Sequence, residues 1–417
     1  VRVLAVALAA LAITSACAGA DSGSEVRSNA PRAAVDASAA RSGGASLLQL
    51  TAALLSVAPA DRNVVVSPWI VGEDLAILHA GASGTSAEAI ESALDLPTDE
   101  IGPASSAVRA VLAGRAGRRS DDRRSGDVTI RPANDLWLQR GTVVEPSFLD
   151  SLARWYDTGV RVADIRSDPD QAREAVNTRL AEQTDGVVEG LATPGDLTSD
   201  TRLLLAGALW FRAPWDQEFD AASTEPGPFT RSDGSTRSVE MMTMTDPAVG
   251  YASGDGWKAV ELPYLGRELS MVVIVPEPGH LDIVGAALDG ELLTEVLADL
   301  AATPVTVRLP RFSFTSREPL DDDLAAMGLG VLGDLDAADL SRITRDERLV
   351  VSQVLHQSSV SVDEEGSGSS AATVRDERTP VGSSTTKVDA DRPFLFLVVD
   401  RSTSAPLLAG RVVDPAG

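Results

Sequence analysis

A chain of 417 residues that is 44% hydrophobic can bury one large core or two ordinary ones. Its formal charge of −25 argues against general binding to nucleic acid or to anionic membranes, and for a soluble, self-repelling surface. Cys17 is the only cysteine, so no intramolecular disulfide can form.

In chain order, Arg2 precedes an apolar run over residues 3–13. That run is too short to span a bilayer and suits the core of a secretory signal over residues 1–16. Ser15 and Ala16 lie just before Cys17, an arrangement that resembles the lipid-attachment cysteine of bacterial lipoproteins, with Thr14 where Leu is usual. The expectation is export across the bacterial cytoplasmic membrane and a lipid anchor on Cys17 at the cell surface; the alternative is an extracellular protein. Residues 17–44 are small, polar and proline-containing, as a flexible tether would be.

The folded part is expected from about Ala45 onward. Helical spacing occurs over residues 45–55, 87–94, 147–156 and 171–184, the last with Asp168-Pro169 as cap and first-turn proline. Strand-like runs occupy residues 202–211, 259–263, 269–275, 305–309, 349–362, 394–400 and 407–413. The run from Leu203 through Trp210 is continuously apolar, as in a strand buried on both faces. Helices dominate the first half and strands the second, without an alternating rhythm. The fold class is therefore α+β with large mixed sheets, in one domain over residues 45–417. Arg115, Arg118, Arg119, Arg123 and Arg124 form a local basic cluster, interrupted by Asp121 and Asp122. A solvated loop is the favoured reading, with polyanion binding as the alternative.

Residues 364–393 carry no helical or strand period and are rich in Ser, Gly, Ala and Thr, yet both flanks read as buried strands. Loops beyond about 12–15 residues are uncommon in a compact domain and are commonly functional. Such a segment is also a natural protease target.

No enzyme site is evident. His79, His280 and His356 fall in no metal-binding spacing, and there is no G-x-S-x-G, P-loop or G-x-G-x-x-G. No cofactor and no metal are expected. His356 lies on the mainly apolar face of a strand with Val354, Ser358 and Val360. That placement suits a buried, hydrogen-bonded latch between strands better than catalysis.

N-V-V-V-S-P-W-I at 63–70, G-A-S-G-T-S-A-E-A-I at 81–90 and A-N-D-L-W-L at 133–138 resemble the opening motifs of serpins. L-A-G-A-L-W-F-R-A-P-W at 205–215 is similar to the family's central strand. V-E-L-P-Y at 260–264, L-P-R-F-S-F at 309–314, V-S-Q-V-L-H-Q-S-S-V-S-V-D-E-E-G at 351–366 and D-R-P-F-L-F-L-V-V-D at 391–400 follow in order. The resemblance implies three β-sheets, eight or nine helices and an exposed reactive-centre loop at about residues 364–392. It also implies a metastable fold, a kinetic trap whose central sheet can accept one more strand. A serine endopeptidase attacks the loop and forms an acyl-enzyme. The upstream half of the loop then inserts into the sheet and carries the trapped protease away.

On this resemblance the hinge is Glu364, Glu365, Gly366, Ser367, Gly368, Ser369, Ser370, Ala371 and Ala372, which is small and uncharged after its two acids. In the inserted strand Ser369, Ala371, Thr373, Arg375 and Glu377 would alternate toward the core, and the last two need pairing or a solvated end. Ser67, Gly207, Trp215 and His356 fall in the region where the sheet opens. The family's usual Asn is Gly207 here, and the second Ser of its S-P-x-S pattern is Ile70. Spacing from Gly366 places the cut between Pro380 and Val381, and spacing back from Pro393 favours Gly382. The bond between Val381 and Gly382 suits an elastase-like enzyme, and that between Arg378 and Thr379 a trypsin-like one. The reactive window is thus Arg378, Thr379, Pro380, Val381 and Gly382, and a subtilisin-like target is also open. The expected partner is a serine protease, met by a monomer with no nucleic-acid partner and no membrane contact beyond the lipid. The alternative is a non-inhibitory member, a binding module or a plain protease substrate.

Overall fold

The structure, a computed structural model, describes residues 23–121, 124–280, 284–285, 288–368 and 386–416. Asp36 caps α1 (Ala37–Val57), its carboxylate accepting from the Ser38 N–H at 2.7 Å. Ser67 caps α2 (Pro68–Gly81), with Pro68 in the first turn, where its missing N–H costs nothing. α3 (Gly84–Leu94) and α4 (Thr98–Ala113) follow, then α5 (Pro146–Ser151), α6 (Pro169–Gln183), α7 (Gly290–Ala298) and α8 (Asp321–Leu324). These make eight α-helices among the described residues.

One eight-stranded sheet holds β1 (Ser24–Val26), β3 (Gly117–Ser120), β4 (Ser125–Gln139), β5 (Val160–Ala163) and β6 (Leu203–Pro214). It is completed by β12 (Phe312–Pro319), β13 (Val351–Val362) and β14 (Gly366–Ser367), in the order β1-β5-β4-β6-β14-β13-β12 with β3 on β4. The nine-stranded sheet contains β2 (Val64–Val66), β7 (Glu225–Thr230), β8 (Thr236–Gly254), β9 (Trp257–Pro263) and β10 (Leu269–Pro276). β11 (Ala301–Pro310), β15 (Thr386–Asp389), β16 (Phe394–Asp400) and β17 (Pro406–Val412) complete it. β8 pairs β7, β11 and β9 in turn, so the expected second and third sheets are continuous through it.

β6 is buried on both faces, as its apolar run predicts. Leu203, Leu205, Leu209 and Phe211 join the core against α2, where Ile70 and Trp69 lie. Leu204, Ala206 and Ala208 pack with Ala172, Ala175, Val176 and Leu180 of α6. Each fully buried leucine contributes about 2 kcal/mol by transfer from water. The α+β fold class holds.

Several local expectations change. Residues 17–44 do not read as a free tether over their described part. β1 pairs antiparallel with β5, Arg27 ion-pairs Asp157, and the Ala33 N–H donates to the Arg154 carbonyl at 3.0 Å. Helix α1 begins eight residues before the expected start at Ala45, because the cap is Asp36. The basic stretch is a hairpin of β3 and β4 rather than a solvated loop. Arg115 bonds Asp400 and Glu268, Arg119 bonds Glu268, and Arg124 ion-pairs Glu218. These carboxylates neutralise three of the five arginines that a polyanion would need. Arg123, Asp122, Cys17 and the signal lie outside the described residues.

Candidate functional site: the hinge and the sheet it enters

β6 and β13 pair in parallel from Leu203 with Val351 up to Leu209 with Ser358. Above that level they part, and β14 stands between them. Gly366 pairs with Pro214 and Ser367 with Ala213 on one side, and Ser367 pairs with Val362 on the other. The Gly368 N–H donates to the Ser361 carbonyl at 2.8 Å. The start of the long segment is therefore already a short strand wedged into the mouth of the sheet.

The sequence of this wedge explains its seating. Asp363 accepts from the N–H groups of Glu365 and Gly366 at 2.9 and 3.1 Å, turning the chain back on itself. A Cβ on Gly366 would lie 2.2 Å from the Ala213 carbonyl oxygen, so only glycine fits there. Ser367 is buried, its hydroxyl 2.7 Å from the Tyr264 hydroxyl. Tyr264 stacks on Trp215 at 4.6 Å, and the Trp215 indole N–H donates to the Asp363 carbonyl at 2.9 Å. Glu365 and Glu364 also lend their carbonyls to the N–H groups of Trp215 and Phe219. Trp215 is thus the floor and gatepost of the mouth.

Glu364 anchors the base of the wedge. Arg311 grips it through Nε at 2.7 Å to Oε2 and Nη2 at 2.5 Å to Oε1, while Thr224 donates to the same carboxylate. Burial pushes the Glu364 carboxyl up, but Arg311 and Thr224 outweigh it and hold the group below its ordinary range.

Lower in the sheet, His356 of β13 is fully buried and faces α2. The Ser67 N–H donates to its Nε2 at 3.0 Å, and the Ser358 hydroxyl lies 3.0 Å from the same nitrogen. Burial lowers its pKa to about 4, so the ring is neutral. Because Nε2 accepts from a backbone N–H, the ring proton sits on Nδ1, which has no hydrogen-bond partner. Gly207 pairs directly with His356 across the two strands.

The two departures from the family pattern compensate each other. A Cβ on Gly207 would lie 2.6 Å from Ile70 Cγ2, so the larger Ile70 fills the volume that the smaller Gly207 vacates. Two further polar residues here were missed by sequence reasoning. Asp74 of α2 is buried, and Asn134 of β4 donates to the Ile70 carbonyl at 3.3 Å. Burial pushes the Asp74 carboxyl well above its ordinary range, and Asp135 adds to that while Asn134 opposes it. An aspartate next to Glu73 in a largely apolar helix was the available signal.

The structure brings together Glu364, Glu365, Gly366, Ser367, Gly368 and Trp215 at the mouth, and Ser67, Gly207 and His356 beneath it. Ser369, Ser370, Ala371 and Ala372, and the window Arg378, Thr379, Pro380, Val381 and Gly382, lie outside the described residues. Among the described residues, no group of three His, Cys, Asp or Glu side chains is placed to hold a metal.

The family described as Serpin (serine protease inhibitor) matches residues 47–415. The chain belongs to the serpin family. It is 30% identical over 361 residues to an uncharacterised serpin-like protein of Methanosarcina mazei, covering 85% of this chain and 82% of that one. It is 29% identical to the leukocyte elastase inhibitor of Bos taurus, covering 85% and 93%. The native structure of tengpin, a thermophilic serpin, superposes with a TM-score of 0.80 at 22% identity, covering 93% of this chain and 97% of that one. Serpins are typically protease inhibitors rather than catalysts.

Proposed function

We propose that this serpin is an exported, irreversible inhibitor of a serine endopeptidase that traps its target by inserting the cut loop into the eight-stranded sheet. The observation that carries the reading is β14, seated between β6 and β13 with Ser367 buried at their mouth. Residues 366–373 behind and beyond it are Gly, Ser, Ala and Thr, which offer no bulk or charge against entering a packed sheet. Insertion gains backbone hydrogen bonds on both edges of the new strand. The attached protease is displaced before water can hydrolyse the acyl bond.

The bovine relative's name specifies leukocyte elastase. Carried to this chain, that supports cleavage near Val381 and Gly382 over the trypsin-like bond at Arg378. Cys17 is the attachment point of a lipid that holds the monomer at the cell surface.

The second reading is a serpin that is cut without trapping. A strand inserted in the register of β14 would bring Arg375 beside Leu205 and Glu377 beside Leu203, two wholly buried positions. A charge held there without a partner opposes the final steps of insertion. Incubation with trypsin, chymotrypsin, elastase and subtilisin separates the readings. A denaturant-resistant band near the summed masses is expected with one of them, and loop cleavage with no such band in every case defeats the inhibitor reading. Replacing Cys17 with Ser should release the protein from membranes; unchanged membrane association would refute the anchor.

A further inference from the structure

The chain enters the eight-stranded sheet at the pole opposite the wedge. Across four neighbouring strands, Ser24 of β1 stands beside Val162 of β5, Val162 beside Leu138 of β4, and Leu138 beside Leu203 of β6. β1 runs antiparallel to β5, so stepping back from Ser24 to Gly23 leads off the sheet past Ala163 and Gln139. The wedge sits at the other end of β6, where Gly366 meets Pro214. From Leu203 to Pro214 a strand covers about 36 Å.

Contacts along the segment fix this exit. Gly23 has a φ of +75° and packs so closely on Trp137 that a Cβ there would lie 2.5 Å from the indole ring. Beyond it, Glu25 ion-pairs Arg161 at 3.4 Å, Arg27 ion-pairs Asp157, and the Ser28 hydroxyl donates to Asp150. Only residues 18–22 therefore separate Gly23 from Cys17, a span of at most about 20 Å. A tether free as far as residue 44 would reach about 90 Å and let the body turn over.

We propose that the pole formed by the ends of β4 and β5 and by residues 340–349 is the membrane-facing surface of the anchored protein, and that it holds the wedge away from the bilayer. The proposal rests on the lipid-anchor reading of Cys17 above. Two of the three exposed large apolar side chains among the described residues, Val143 and Leu335, lie at this pole. Val143 follows β4 next to Thr142, which bonds Glu347, and Leu335 precedes Asp336, whose carbonyl accepts from Arg348. Contact with lipid would take their apolar surface out of water. Arg166 and Arg202 share Glu347, and Arg345 pairs with Glu145. These arginines are already matched, so the short tether rather than charge keeps the pole at the lipid. The reactive segment, which leaves the wedge at Gly368, is then offered to proteases arriving from the medium.

The test places the mature lipidated chain on vesicles of phosphatidylglycerol and phosphatidylethanolamine that carry a headgroup acceptor dye. With Cys17 taken up by the lipid, a cysteine introduced elsewhere is the one thiol to label. Energy transfer should be several-fold stronger from a donor on Val143→Cys than from one on Asp127→Cys, at the wedge end of β4. A Gly-Ser insert of about twenty residues between positions 22 and 23 should erase most of that difference, because it restores a long tether. A difference that survives the insert refutes the short tether as its cause. Equal transfer from the two sites, or stronger transfer from Asp127→Cys, overturns the orientation while leaving the anchor intact. A mature chain that washes off the vesicles just as Cys17→Ser does overturns the anchor and the orientation together.

Discussion

At the scale of single residues, His356 gives the native state a pH dependence of known sign. Burial lowers its pKa from 6.5 to about 4, so between those values the unfolded chain binds a proton that the fold refuses. Stability from this group is complete above about pH 6.5 and is lost as pH falls toward 4, by about 3 kcal/mol in all. Asp74 acts oppositely: its raised pKa removes stability as pH climbs above the ordinary carboxylate range. The urea midpoint should therefore fall between pH 6.5 and 4 more steeply in the wild type than in His356→Gln. Equal slopes would show that another group carries the effect. Gly366 allows a steric prediction. Gly366→Val places a side chain 2.2 Å from the Ala213 carbonyl oxygen, which cannot yield as a flexible side chain would. The wedge should be expelled at a cost of about 2 kcal/mol or more. Denaturing gels should then show cleaved product with free protease rather than complex; an undiminished complex band would contradict this. The departures at Gly207 and Ile70 were legible in the sequence, but their compensation was not. Two residues 137 positions apart had to be brought within contact before one could be seen to fill the other's volume.

At the scale of elements, the parts with strong periodicity were legible and those set by distant partners were not. β6 and β13 announce themselves by apolar runs, and α6 by a stripe and its Asp168-Pro169 start. α2 has no such stripe because it is buried nearly all round, from Pro68 to His79, so helical periodicity has nothing to contrast. The segment before α1 reads as a tether because its order comes from the edge of β5 and from Asp157, far along the chain. The basic hairpin reads as a loop for the same reason, since Glu268 and Asp400 supply its ion pairs. The loop's own end has a measurable weakness. Arg375→Ala with Glu377→Ala should remove two charges from buried register positions and speed insertion. Fewer inhibitor molecules should then be consumed per protease inactivated, and an unchanged ratio would mean those residues stay at the solvated end.

At the scale of the whole molecule, β6 and β13 pair with each other low in the sheet and part higher up around β14. The proposed trapping mechanism requires a kinetic trap, a native sheet that could pair further by accepting one more strand. Glu364, gripped by Arg311 and Thr224, ties the wedge to the rest of the fold, and Trp215 with Tyr264 lines its path. The most direct measurement is a titration of target protease with the intact protein, read as residual activity and on denaturing gels. The trapping account predicts loss of activity near one inhibitor per protease, with a covalent complex that persists in denaturant. Complete loop cleavage at every ratio, with the protease fully active and no complex, would contradict it.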